Sequence, residues 1–212
     1  IACLVGSEMC IRDRYQDDIE MLRSLPSLPY SIAIPKIESA DECRTFLKDL
    51  GTNILILPQI ETPRGIATIE SWDCSNIEFS GIGFGSADYC ASTGGDMGKA
   101  SLAYGRGKII NAAALYNTLA LDGVWLDFRD PDGCREETLY VKTMGFKGRF
   151  AIHPDQIKPI HDAYRPTTEE LEWAKGVLEE AKTAGSGAFK YQGKMVDAPV
   201  LAVARLIISR ED

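Results

Sequence analysis

Three polar residues stand directly after apolar runs: Glu61 after LILPQI, Asp88 close behind GIGFG, and His153 after RFAI. In proteins built on parallel strands, active-site groups gather at the carboxyl ends of the strands. Two carboxylates with no thiolate partner suit a hard cation. Mg²⁺ takes one or two protein carboxylates and completes its octahedron with water and substrate oxygens, so Glu61 and Asp88 together would suffice. A single acid at a strand end is more often a helix cap or half of an ion pair. Joint placement of the two is what points to metal-assisted chemistry. Lys36 and Glu38 leave a further run, SIAIPKI, where they would either contact substrate or serve as ion-pair partners.

Other motif readings fail on spacing. GIGFGSAD places Ser86 where the last glycine of GxGxxG belongs, so the dinucleotide fingerprint is missing. In DFRDPDG, aligning Gly133 with the invariant glycine of a calcium loop puts Phe128 and Leu139 at ligand positions, which leaves a turn. Cys3, Cys10, Cys43, Cys74, Cys90 and Cys134 are scattered without zinc spacing and read as reduced, buried thiols outside the mechanism.

The positioning elements follow from periodicity. SIAIPKI (31–37) and NILILPQI (53–60) are short Ile-rich runs that read as buried strands, and SADECRTFLKDLG between them has a Ser/Asp start and a Gly stop, as a helix would. The alternation continues with a helix over 66–73, a strand over 77–85, a helix over 99–120, a strand over 123–128 (GVWLDF), a helix over 134–144 and a strand over 149–154. Strands alternating with helices imply parallel pairing and an α/β fold. Beyond Pro166, a capping box from Thr167 to Glu170 opens a helix whose apolar face carries Leu171, Ala174, Val177, Leu178 and Ala181. A turn-rich passage, GSGAFKYQGKMVDAP, then leads into a last helix and is a candidate functional loop.

The chain has 212 residues and a net charge of −8. That length suits one substantial domain, and the acidic balance excludes a generic phosphate-backbone binder. No apolar run approaches a membrane span, and the composition predicts a cytoplasmic protein. Leu4–Asp13 (LVGSEMCIRD) looks like one reading frame of a transposase adapter used in sequencing libraries, so the natural protein is expected to enter near Arg14.

PKIES (35–39), PQIETPRG (58–65), GIGFGSADY (81–89), MGFKGRFAIHPDQI (144–157), RPTTEE (165–170) and GKMVDAPV (193–200) resemble, in order and near-spacing, the HpcH/HpaI aldolase and citrate lyase β-like CoA-ester lyases. The resemblance runs from about Ser31 to the end. It implies a TIM (β/α)₈ barrel of the phosphoenolpyruvate/pyruvate superfamily type, represented by its last five βα units. The expected organisation is adapter over 1–13, partial barrel over 14–165, and a C-terminal helical extension with an active-site loop over 166–212. An intact barrel averages about 250 residues, so the opening strands and their substrate-binding Arg are expected to be missing. The edge strands would then be open and this piece inactive alone.

The resemblance further implies that Glu61 and Asp88 ligate Mg²⁺. Asp197, in the MVDAP loop, would be the acid/base that reaches a neighbouring subunit of a homotrimer or larger multiple; capping the following helix is its other reading. His153 would lie behind the metal ligands or near CoA, or simply hydrogen-bond within its turn. Arg64 would hold its loop or touch phosphate. The implied reaction is cleavage of a 3-hydroxyacyl-CoA thioester, of malyl-, citramalyl- or citryl-CoA type, into an acetyl-CoA-type thioester and a 2-oxoacid. The alternatives are a CoA-independent class II 2-keto-3-deoxy acid aldolase and a non-catalytic acyl-CoA-binding relative.

Overall fold

The computed structural model describes residues 14–184 and 187–211; the adapter-like stretch 4–13 lies outside them. The chain forms two compact units that divide between Ile160 and His161. The first opens with α1 (Tyr15–Ser24), an element absent from the sequence reading. It continues as β1 (Ser31–Ile34), α2 (Ala40–Leu50), β2 (Leu55–Ile60), α3 (Pro63–Thr68), β3 (Ile82–Phe84), α4 (Ser86–Thr93), α5 (Lys99–Leu115), β4 (Ala120–Asp122), α6 (Pro131–Met144) and β5 (Gly148–Arg149). Helix α7 (Ile157–Tyr164) spans the division.

All four pairings in the sheet are parallel, and the strand order is the chain order, β1-β2-β3-β4-β5. A doubly wound sheet would reverse its order part-way along, whereas an unbroken order is the arc of a barrel. Among the described residues β1 and β5 are each paired on one side only. Alternation along the strands sorts the side chains into two layers. Ile56, Ile60, Ile82, Phe84 and Ala120 pack with the helices, while Leu57, Leu121 and Phe150 cluster separately with Ala33 and Val124.

Local chemistry sets the helix ends. Ser39 accepts from the Glu42 N–H at the start of α2, and Gly51 ends it at φ 80°, a left-handed cap for which glycine is suited. Thr62 caps α3 through the Gly65 N–H, with Pro63 in its first turn.

Two predicted strands are corrected. The fourth is Ala120–Asp122 rather than 123–128, because α5 stops at Leu115 and the chain turns through Asn117 at φ 50°. GVWLDF is the loop that follows, with Leu126 and Phe128 exposed. The apolar run is longer than the ladder, and periodicity alone does not say which part of it pairs. The fifth strand ends at Arg149, because His153 caps a 3-10 turn, Pro154–Gln156. Helix α4, which carries Asp88, also went unread.

The second unit contains α8 (Thr168–Ala184), a hairpin of β6 (Phe189–Tyr191) and β7 (Lys194–Val196), and α9 (Ala198–Ile208). The capping box at α8 is reciprocal: the Thr167 N–H donates to Glu170 Oε2 at 2.8 Å, and the Glu170 N–H donates to Thr167 Oγ1 at 3.1 Å. The turn-rich passage includes this hairpin, whose turn has Gln192 and Gly193 at positive φ. Ala174, Val177, Val196 and Ala204 form the core of the unit.

Cys43 and Cys134 are fully buried and Cys90 nearly so. Burial pushes the Cys43 thiol up to about 12 and also raises Cys90 and Cys134. Since the thiolate is the reactive species, iodoacetamide at about pH 8 is expected to spare these three in the native protein and label them in urea, as read by peptide mass spectrometry. Labelling of Cys43 at its unfolded rate would contradict the packing.

Candidate active site

The carboxyl ends of β1, β2 and β3 converge on a small group of charges. Glu61, the first residue beyond β2, is buried at 7% exposure. It continues the alternation Leu57, Gln59, Glu61 and so points to the same side as Leu57. There Gly85 makes room for it: a Cβ on Gly85 would lie 2.2 Å from both Glu61 Cβ and Glu61 Oε2. Gly83 is equally hemmed in, with Phe150 ring carbons 2.8 Å from where its Cβ would be. The glycines of GIGFG therefore have a packing role: they clear the inner side of β3 for Phe150 and Glu61.

Lys36 links the acids. Its backbone N–H donates to Glu61 Oε1 at 2.8 Å, and its Nζ lies 3.3 Å from Asp88 Oδ1. Asp88 projects from the first turn of α4 with its side chain 46% exposed. Beside them, Thr62 Oγ1 donates to Glu38 Oε1 at 2.7 Å, and Arg64 Nε lies 3.9 Å from Glu38 Oε2, which ties the β1 and β2 exits together.

No group of three or more His, Cys, Asp or Glu among the described residues is placed to hold a metal ion. A metal here would have Glu61 and Asp88 as its protein ligands. The donors fit Mg²⁺: both are oxygen ligands, one carboxylate is seated in a glycine cradle, and the other is half open to water and substrate.

The structure thus gathers Lys36, Glu61 and Asp88, and places Arg64 beside Glu38, which Thr62 bonds. His153 is engaged elsewhere. Its ring stacks on Phe128 at 4.6 Å, and its Nδ1 accepts from the Asp155 N–H at 3.2 Å. Asp197 belongs to the second unit, where its Oδ1 accepts from the Val200 N–H as the N-cap of α9.

Sequence reasoning missed a buried charge cluster at the ends of β4 and β5. Arg106 of α5 donates through Nε and Nη2 to both oxygens of Asp122, each at 3.1 Å, and Arg149 Nη2 donates to Asp122 Oδ2 at 2.7 Å. Glu137 of α6 lies 2.8 Å from Arg106 Nη2. Burial lowers the Arg106 pKa, but Asp122 and Glu137 raise it by more, so the net shift is upward. Arg149 Nε also donates to the Gly123 carbonyl at 2.9 Å, fastening β5 to the end of β4. A signal was available: an acid inside the apolar run ALDGVW must be paired if it is buried.

The sequence profile of the HpcH/HpaI aldolase/citrate lyase family matches residues 8–154. The chain belongs to this family. A second profile, C-C Bond Lyase of the TIM-Barrel fold, matches residues 107–211. Among relatives of this HpcH/HpaI chain, the mitochondrial citramalyl-CoA lyase of Mus musculus is 29% identical over 214 residues, which is 91% of this chain and 63% of that protein. The citrate lyase subunit beta-like protein of Mycobacterium tuberculosis is 33% identical over 202 residues, covering 92% and 71%. The chain therefore spans less than two thirds of the length of the mouse relative. Among solved structures, protein CitE from Mycobacterium tuberculosis in complex with magnesium, acetoacetate and coenzyme A superposes with a TM-score of 0.78 at 29% identity, covering 97% of this chain and 75% of that one. A citrate lyase from Burkholderia xenovorans LB400 gives 0.79 at 19% identity, a likeness of fold alone. The five-stranded parallel arc is of the TIM-barrel type.

Proposed function

We propose that the intact protein is a Mg²⁺-dependent carbon–carbon lyase. It cleaves a 3-hydroxyacyl-CoA of the malyl-, citramalyl- or citryl-CoA type into an acetyl-CoA-type thioester and a 2-oxoacid. The observation that carries this reading is the pairing of Glu61 and Asp88 around Lys36 at the carboxyl end of the sheet. Names of relatives support the substrate class: citramalyl-CoA lyase, and a CitE structure holding magnesium, acetoacetate and coenzyme A.

Glu61 and Asp88 would hold Mg²⁺, which when bound supplies Lewis-acid stabilisation of the oxygen that changes from hydroxyl to keto as the bond breaks. Glu61 is pre-set for this by its N–H donor and glycine cradle, so little reorganisation is left to the reaction. Asp197 is the proton carrier. In cleavage the hydroxyl gives up its proton to solvent as the carbon–carbon bond breaks and protonated Asp197 supplies one to the enolate carbon; in condensation Asp197 removes one from the acetyl methyl and solvent protonates the new alkoxide. Its capping bond at one oxygen is compatible with this, because a carboxylate has a second oxygen. Arg64, pinned near Glu38, serves to hold the β1 and β2 exits together. His153 braces the loop after β5 and is not placed among the reacting groups in this proposal.

Asp197 acting across a subunit boundary makes the protein a homo-oligomer, a trimer or a multiple of one. Exposed Met195, Val203 and Leu206 on the second unit support self-association. We place the protein in the cytoplasm, which suits its free cysteines. Among the described residues no helix is long and apolar enough to cross a membrane.

The test is 2-oxoacid release by the full-length protein from malyl-CoA and citramalyl-CoA, with Mg²⁺ or with EDTA. Release that stops with EDTA and returns with added Mg²⁺ is the expected result. A folded, Mg²⁺-binding protein that releases nothing from either thioester but cleaves a free 2-keto-3-deoxy acid would instead be the CoA-independent aldolase.

A further inference from the structure

Lys36 touches both acids of the site with different groups, its backbone on Glu61 and its side chain on Asp88. It does so from a left-handed conformation, φ 54°. This region is uncommon for a long side chain and tends to persist where the surroundings over-determine it, often at functional sites. The main-chain bond ends on the buried carboxylate, whereas the side-chain ion pair lies in the open, with Lys36 54% and Asp88 46% exposed. The Arg106–Asp122 pair is the opposite case, sealed at 1% and 0%. An ion pair open to water is weak and exchangeable. A dication at the same distance attracts a carboxylate twice as strongly as an ammonium does.

We propose that Lys36 is the exchangeable counter-cation of the paired carboxylates: its ammonium pairs with Asp88, would give it up to a bound Mg²⁺, and would then receive the carboxylate of the 2-oxoacid. The inference rests on the reading of Glu61 and Asp88 as metal ligands. Charge supplies the order of events. Once displaced, the ammonium stands beside a dication that repels it, and an anionic substrate group lying between the two cations relieves that repulsion. The Lys36 N–H keeps Glu61 oriented throughout, so only the side chain exchanges. Binding is therefore ordered, with metal before 2-oxoacid.

The two functions of the ammonium predict opposite changes in one variant. Mn²⁺ binding is followed by the electron paramagnetic resonance of the free ion, and pyruvate binding by calorimetry in saturating Mn²⁺. Both use the full-length protein as wild type, Lys36→Met, Lys36→Asn and Asp88→Asn, with the thermal midpoint of each recorded. Lys36→Asn is included because Asn tolerates the left-handed region and so guards against a folding failure of Lys36→Met. The expected result is Mn²⁺ binding about two- to fivefold tighter in both Lys36 variants, with pyruvate binding about tenfold weaker or more. Mn²⁺ affinity unchanged or reduced in a Lys36 variant of wild-type thermal midpoint would overturn the proposal and make Lys36 a fixed tie between loops. Equal Mn²⁺ binding by wild type and Asp88→Asn would instead remove Asp88 as a metal ligand, and the proposal would fall with it.

Discussion

Gly85→Ala is expected to weaken metal binding by roughly 10- to 100-fold without changing a ligand, the scale typical of losing the groups that orient one. The new methyl would sit 2.2 Å from Glu61 Cβ and Oε2. Glu61 Cβ is not the mobile end of a side chain. It is fixed by β2, and both β2 and β3 are held in the sheet by neighbours on either side. Relief therefore comes from swinging the carboxylate out of its seat, which breaks the bond from the Lys36 N–H, or from moving the start of α4, which carries Asp88. Either movement separates the two acids. Titration with Mn²⁺ beside Glu61→Gln checks this: the two variants should lose affinity to a similar degree while keeping the wild-type circular dichroism spectrum. Wild-type affinity in Gly85→Ala would mean that Glu61 is not a ligand in the conformation described.

Asp122→Asn is expected to cost about 3–5 kcal/mol, the range for removing one partner from a buried ion pair. Asp122 has no solvent exposure and is the shared acceptor of two guanidiniums that are themselves buried. The substitution keeps the shape but removes the charge that offsets Arg106 and Arg149, leaving Glu137 to offset Arg106. In a two-state melt, the loss corresponds to a midpoint lower by roughly 6–20 °C for a protein of this size. Asp73, an exposed acid paired with Arg44, provides the contrast: Asp73→Asn should leave the unfolding midpoint close to that of the wild type. Adding Arg149→Met to Asp122→Asn should cost less than the two changes summed, because the second removes a charge the first had stranded. Urea unfolding of the wild type, the three single variants and the double variant measures all three statements, and strict additivity would show that the cluster does not act as a unit.

Elements with strong local signals are legible in the sequence. Ser39 and Gly51 bracket α2 as read, and the Thr167–Glu170 box opens α8. The runs read as strands over 31–37 and 53–60 hold β1 and β2, the first stopping at Ile34 where the chain turns through Lys36, because short Ile-rich segments bounded by turn residues have few other ways to bury themselves. Placement failed where one apolar run served two purposes. ALDGVWLDF supplies a three-residue strand and then a loop, and the division depends on where β4 meets β3 and β5. Helix α4 is short, and its Ser-Ala-Asp start was absorbed into a motif, so its role in lifting Asp88 towards Lys36 was not visible.

By itself the sequence determined the alternation of strands and helices, the family, and the residue types that a hard cation would need. Those depend on composition and on periodicities of a few residues, which a chain carries locally. Tertiary structure decided what the acids touch. That Gly85 is small for the sake of Glu61, that Lys36 reaches both Glu61 and Asp88, and that Asp122 is shared by two arginines are contacts between residues at least 16 positions apart. Such contacts depend on which strands and helices come together, over sequence separations far longer than the periodicities of a few residues.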